Sequence, residues 1–218
     1  MGATGCRLSV GGEQCCSHLT DHGSPVILIA FFLLLSYLCP SQNLDIRLLH
    51  HINSGNSASW DKTNRAFSQS MTPLSLAVPS VLLFYGALAH DSSAKKNGLI
   101  AGAGLLASGV LAVSLKYSVG RPRPFVTYPY IIKKGEAGTP SFPSGHTSSA
   151  FAAATSISLC YPKWYVIAPS FLWASAVGYS RMELGVHYPS DVLVGAIVGA
   201  GCSWVMWKVN QKSVGSRQ

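Results

Sequence analysis

Six apolar stretches of 14 to 17 residues, at 25–39, 73–89, 99–115, 147–160, 166–179 and 192–207, constrain this chain more than any other feature. A bilayer core of ~30 Å needs about 20 helical residues, so each stretch spans only when its small polar and aromatic flanks are included. Composition supports a membrane as the solvent. Charged residues are 11% of the 218, against roughly 25% in an average soluble protein, and mean hydropathy is +0.29. The expected fold is all-α: one domain over 1–218, an integral membrane six-helix bundle at 25–209 with tails at 1–24 and 210–218.

The first stretch is close enough to the amino terminus to be weighed as a signal peptide, but its leading region carries Arg7 against Glu13 and Asp21 and no small-x-small cleavage pattern follows Pro40. It reads as the first span. The segment 43–70 is polar yet places Leu44, Ile46, Leu48, Leu49 and Ile52 at helical spacing, with a second short run at 60–67. Short interfacial helices between the first and second spans are expected there. Small residues recur in the third, fourth and sixth stretches, including Gly102, Gly104, Ala150, Gly195 and Gly199, as packing surfaces for close helix contact.

The net charge of +8 attracts nucleic acid, anionic headgroups or phosphorylated substrates alike. Lys and Arg are scattered in short loops, with pairs such as Lys95-Lys96 and Lys133-Lys134 and no basic arm, which argues against nucleic acid. They fall on alternating loop sets in similar number, so charge does not sign the orientation. The six cysteines lack metal-ligand spacing and read as free thiols; Cys15 and Cys16 stand where palmitoylation is open.

Three polar clusters interrupt the apolar pattern at the ends of stretches. Lys116-x6-Arg123-Pro124, with Arg121 inside it, would serve alone as a basic interface anchor. Pro143-Ser144-Gly145-His146 precedes a small-residue helix, whose free N–H groups and dipole suit an anion, although a Ser N-cap beside an incidental histidine explains it equally well. In Ser180-Arg181-x5-His187-x3-Asp191 a helical turn would bring the carboxylate to the imidazole and fix which ring nitrogen carries the proton; a solvated loop capped by Ser190 and Asp191 is the competing account.

Taken together and in this order, the three clusters closely resemble the type 2 phosphatidic acid phosphatase family, matching its motifs at full spacing over 116–191. The resemblance implies a metal-independent phosphoric monoester or diphosphate hydrolase of membrane lipids, with no cofactor. It assigns Lys116, Arg123, Ser144, Gly145 and Arg181 to phosphate oxygens, His187 to nucleophilic attack, Asp191 to orienting it, and His146 to general acid and base. These types suit the chemistry, since phosphoryl transfer is mostly positioning and charge neutralisation. Glu183 reads as a solvated loop carboxylate.

The family layout implies a site on the extracytoplasmic or lumenal side with both termini opposite, and the small size and short loops resemble bacterial members, so the extracytoplasmic face of a bacterial inner membrane is expected. A phosphorylated lipid is the expected partner, undecaprenyl diphosphate first and lipid A next, with phosphatidate and phosphatidylglycerol phosphate following; oligomeric state stays open. Two other readings compete. A vanadate-dependent haloperoxidase resembles the same constellation but is soluble and larger, and a non-catalytic lipid-phosphate binder or transporter would need the cations without the His146, His187 and Asp191 set.

Overall fold

A computed structural model of the chain describes residues 42–215 apart from Asn56 and Thr139. The first apolar stretch, the amino-terminal tail and Cys15-Cys16 lie outside the described residues. Every regular element described is helical: α1 Gln42–Asn53, α2 Ala58–Leu88, α3 Ser92–Val119, the single turn α4 Pro124–Thr127, α5 Gly145–Cys160, α6 Trp164–Glu183 and α7 Pro189–Gly215. The helix starts have ordinary local causes. Ser57 accepts from the Trp60 N–H, Asp91 from Ser93 and Ala94, and Ser144 from Thr147, each satisfying a first-turn donor that lacks an intrahelical acceptor.

The expected interfacial region is only partly separate. α1 is a distinct helix that buries Ile46 and Leu49 while leaving Leu44 and Leu48 exposed, whereas the run at 60–67 joins the next apolar stretch in the 31-residue α2. Continuing through Pro73 and Pro79, α2 is about 46 Å long at 1.5 Å per residue, longer than a bilayer core. Its first turns therefore reach the level of the polar clusters. α7 likewise runs to Gly215, through most of the expected carboxy-terminal tail.

Three helical stretches among the described residues are long and apolar enough to cross a membrane, at 58–88, at 92–127, where α3 supplies the length, and at 189–211. α5 and α6 are shorter, with 16 and 20 residues. α5 is the packing centre, touching α3, α6 and α7, and buries Ala150, Ala152, Ala153 and Ala154. Small residues permit this closeness: a Cβ on Gly199 would stand 2.0 Å from the Ser148 carbonyl oxygen, and one on Gly195 2.6 Å from that of Ser144. With the interior filled by small side chains, the large ones point outward. Phe84, Leu88, Leu106, Val110, Leu172 and Leu193 are all more than 60% exposed, the inverse of a soluble domain and the surface an integral membrane protein presents to acyl chains.

The helices alternate in direction, so α2, α5 and α7 begin, and α3 and α6 end, at one common end of the bundle. There the interior turns from apolar to charged, with Asp45, Arg123, Arg181, Glu183, His187 and Asp191 all buried.

Candidate active site

Each cluster reaches this end because a helix stops or starts there. The α3 chain ends at Gly120, with φ of 63°, and the following residues run across the bundle to Arg123. The 128–140 loop is tied down by Asn53, whose side-chain amide donates to the Ile132 and Glu183 carbonyls and accepts from the Ile132 N–H. The turn after α6 depends on Gly185, which has φ of 70° and would put a Cβ 2.3 Å from the Ile132 carbonyl oxygen. This turn delivers His187 to the bundle interior.

A cavity of about 330 Å³ is lined by Lys116, Arg123, Gly145, His146, Arg181 and His187, with Glu136, Ala137 and Gly138 completing the wall. Both imidazoles and all three cations thus face one space. Ser144 stands apart from the lining. It is fully buried and its hydroxyl accepts from the Thr147 hydroxyl at 2.9 Å and the Thr147 N–H at 3.5 Å, so it serves here as a helix cap. The cap presents Gly145 and His146 at the cavity, at a helix start that favours an anion.

The guanidiniums are held by carbonyls instead of carboxylates. Arg123 donates through Nε to Gly138, through Nη1 to Val186 at 2.7 Å and through Nη2 to Pro140 at 3.4 Å. Arg181 donates to the Ser68 hydroxyl and, at 3.1 Å, to the Glu136 carbonyl, while its buried Nε has no hydrogen-bond partner among the described residues. Carbonyl anchoring orients these cations without neutralising them, leaving their charge for a ligand. Lys116 points its ammonium at the carbonyls of Pro140 at 2.9 Å, Ser141 at 3.5 Å and Pro143 at 3.0 Å, pinning the loop ahead of Ser144.

His187 shows how the site assigns a tautomer. Arg123 Nη1 lies 3.1 Å from Nε2, and a guanidinium only donates, so Nε2 is the acceptor and the ring proton belongs on Nδ1. Nδ1 faces Asp191 Oδ2 at 3.5 Å, a distance for electrostatic orientation more than for a strong hydrogen bond. Burial lowers the His187 pKa to about 4; Asp191 opposes the shift, and Arg123 and Arg181 add to it. The imidazole is neutral at physiological pH, with its Nε2 lone pair on the cation side.

Asp191 is fully buried and multiply held. Its Oδ1 accepts from Arg121 at 2.7 Å, and its Oδ2 accepts from the Ser141 hydroxyl and from the Tyr188 N–H at 3.1 Å. Arg121 also bridges to Asp45 at 2.9 Å and stacks over the Tyr188 ring at 3.8 Å. Asp45 in turn accepts from the Ser190 N–H and hydroxyl. Arg121, Asp45, Ser141 and Ser190 are therefore functional neighbours that cluster spacing did not single out. The one available signal was a second arginine in Gly-Arg-Pro-Arg-Pro, which fits a membrane anchor equally well.

Glu183 corrects the expectation of a solvated carboxylate. It is fully buried and paired with Lys134 at 2.9 Å, and Lys134 also reaches Asp61 at 2.8 Å. Burial alone would lower the Lys134 pKa, but the two carboxylates hold it above its ordinary value.

Known proteins place this arrangement. The family model described as the PAP2 superfamily matches residues 97–214, more than half of the chain. The chain belongs to the PAP2 superfamily. It is 32% identical over 104 residues to a lipid A 4'-phosphatase of Bacteroides thetaiotaomicron, covering 45% of this chain and 46% of that one. Over 106 residues it is 35% identical to an undecaprenyl-diphosphatase of Sulfolobus acidocaldarius, covering 46% and 50%. The chain thus spans about half the length of these curated relatives. The crystal structure of Aquifex aeolicus LpxE superposes with a TM-score of 0.66 at 29% identity, covering 76% of this chain and 95% of that one. The PAP2 match starts after α2, so the Asp45, Asp61, Arg65 and Ser68 contacts come from outside it. Among the described residues no group of three His, Cys, Asp or Glu gathers as a metal site.

Proposed function

We propose that the chain is an integral membrane phosphatase that removes a terminal phosphate from a lipid headgroup through a phosphohistidine intermediate on His187. The observation that carries this reading is the buried imidazole with Nδ1 turned to Asp191 and Nε2 turned to the cationic cavity. A phosphate dianion entering the cavity is clamped by Arg123, Arg181, the charge of Lys116 and the helix start at Gly145, and it draws the Arg123 N–H away from Nε2. The freed lone pair attacks phosphorus.

His146 completes the cycle. Burial disfavours a proton on His146, and the charges of Arg181, Arg123 and Lys116 add to that, until a phosphate dianion supplies opposite charge. Substrate binding thereby loads the acid. As the His187–phosphorus bond forms, the bond from phosphorus to the leaving oxygen breaks and His146 gives that oxygen its proton. His146 then takes a proton from water as the water oxygen attacks phosphorus, the N–P bond breaks, and phosphate leaves with both histidines restored. Ser144 acts in this scheme through its cap on the Gly145 helix start.

The apolar exterior favours a lipid substrate, and the site lies at the end of the bundle where headgroups are reached. Undecaprenyl diphosphate is our first candidate and lipid A the second. We place the site on the extracytoplasmic face of a bacterial inner membrane, a reading supported by the family resemblance for the face and by the small size and short loops for the membrane. The test is phosphate release by purified protein in detergent, with EDTA present, across undecaprenyl diphosphate, lipid A, phosphatidate and phosphatidylglycerol phosphate. We expect turnover of at least one lipid, an acid-labile phosphoenzyme in rapid-quench samples, and loss of both in His187→Ala, with kcat falling on the order of 10^4-fold or more. Turnover by His187→Ala at the wild-type rate would end the mechanism.

A further inference from the structure

A second polar cavity, of about 430 Å³, adjoins the first and shares His146, Arg181 and Glu136 with it. His187 lines only the first. The two chambers therefore have an order with respect to the chemistry: the nucleophile belongs to one, and the proton donor stands between them. In an in-line displacement the leaving oxygen lies opposite the attacking nitrogen, and its proton comes from His146. Whatever remains attached to that oxygen extends into the second chamber.

Its charge is one-sided. Arg65, Lys133, Lys134 and Arg181 contribute to its wall against the carboxylate of Glu136. Lys134 is neutralised by Asp61 and Glu183. Arg65 donates to the Lys134 carbonyl at 2.7 Å and Lys133 rests over the Phe125 ring at 4.9 Å, and neither is in an ion pair among the described residues. Arg181 is 4% exposed and its Nε has no hydrogen-bond partner among the described residues. With Arg181 shared with the transferred phosphate, Arg65 and Lys133 remain, and a neutral diacylglycerol or sugar leaving group has no use for two such cations, whereas a phosphate does.

Resting on the proposed phosphatase reading, we infer that the second chamber binds a second phosphate carried by the leaving group, and that Arg65 and Lys133 are its recognition residues. The substrate class is a lipid headgroup with two phosphates, either joined as a diphosphate or attached at separate positions. Binding there holds the leaving group equally in the ground and transition states, while His146 supplies the proton to the departing oxygen.

The experiment compares wild-type full chain with Arg65→Gln, Lys133→Gln and the double variant in detergent, on three substrates: an isoprenoid diphosphate, a lipid A bearing two separate phosphates, and phosphatidate. We expect the double variant to lose roughly 10-fold or more in kcat/KM on a two-phosphate substrate, carried by KM, and less than about 3-fold on phosphatidate. Whichever of the first two substrates shows the loss identifies the source of the second phosphate. Equal losses on all three, or no loss on any, overturn the inference and leave the phosphatase reading standing. If wild type hydrolyses none of them, that reading fails instead, and calorimetry with inorganic pyrophosphate decides the chamber separately: weaker binding in the double variant supports it, and unchanged binding overturns it.

Discussion

The middle of the bundle and its charged end solve packing in opposite ways. In the middle, Ala150, Ala154, Gly195 and Gly199 bring backbones together and the bulky residues face outward. At the charged end, buried ionic groups are held in networks, with Asp191 between Arg121 and Ser141, and Lys134 between Asp61 and Glu183. Apolar packing against acyl chains tolerates substitution because lipid fills what a side chain vacates, while a buried charge without its partner has no such substitute. The difference implies that the molecule's sensitivity is concentrated at one end.

The largest expected effect is on the Lys134 network. Lys134→Met should destabilise the protein by about 3–5 kcal/mol, the usual cost of leaving a buried carboxylate without its counterion, and Lys134→Met combined with Glu183→Leu should recover most of it. Thermal midpoints in detergent measure both, and an unchanged midpoint for the single variant would erase the contrast between the two regions.

A pH titration sharpens it next. The unfolded chain takes a proton on His187 near pH 6.5, whereas burial holds the folded imidazole neutral down to about 4. The unfolded state binds more protons in this window, so stability contributed by His187 is complete above pH 6.5 and is lost as pH falls toward 4, by about 3 kcal/mol in all. His187→Asn should lack this component of the midpoint's pH dependence. A variant that tracks wild type through the window would show that the imidazole is not held neutral.

Arg121 comes third. Arg121→Gln removes a charge-assisted contact from Asp191 and from Asp45 and should lower kcat about 10- to 100-fold with little change in KM, since in the proposed mechanism Asp191 acts through His187 without touching substrate. Arg121→Lys should recover only part, because an ammonium cannot fork between two carboxylates. A change confined to KM would assign Arg121 to substrate binding instead. The smallest effect belongs to the middle: Leu172→Ala, 73% exposed before substitution, should shift stability by less than about 0.5 kcal/mol. A loss of several kcal/mol there would mean that this face is packed against protein.

Legibility in the sequence followed the same division. His187 and Asp191 were readable because a four-residue spacing becomes a contact whenever α7 begins between them, and Gly145 and His146 because a serine cap marks a helix start. Lys116 and Arg123 were readable as cations at the end of an apolar run. Arg121 was not, since its partner Asp45 lies 76 positions away. Neither was the burial of Glu183, which depends on Lys134 49 positions upstream, nor the second chamber, whose walls come from α2, loop residues 133–136, α5, and the end of α6 with Leu184.

Apolar periodicity pointed to a helical membrane protein, and the resemblance of its three spaced motifs to a known family pointed to the PAP2 type and to six of its cavity-lining residues. Both signals are local, arising from residues within one helix or one turn. Only the tertiary structure decided that α2 continues past the membrane thickness to touch the site, that Ser144 caps and does not line the cavity, which nitrogen of His187 faces the cations, and which carboxylates are matched by which bases. Those outcomes depend on distances between helices far apart in the chain, and no spacing along a sequence encodes a distance across a bundle.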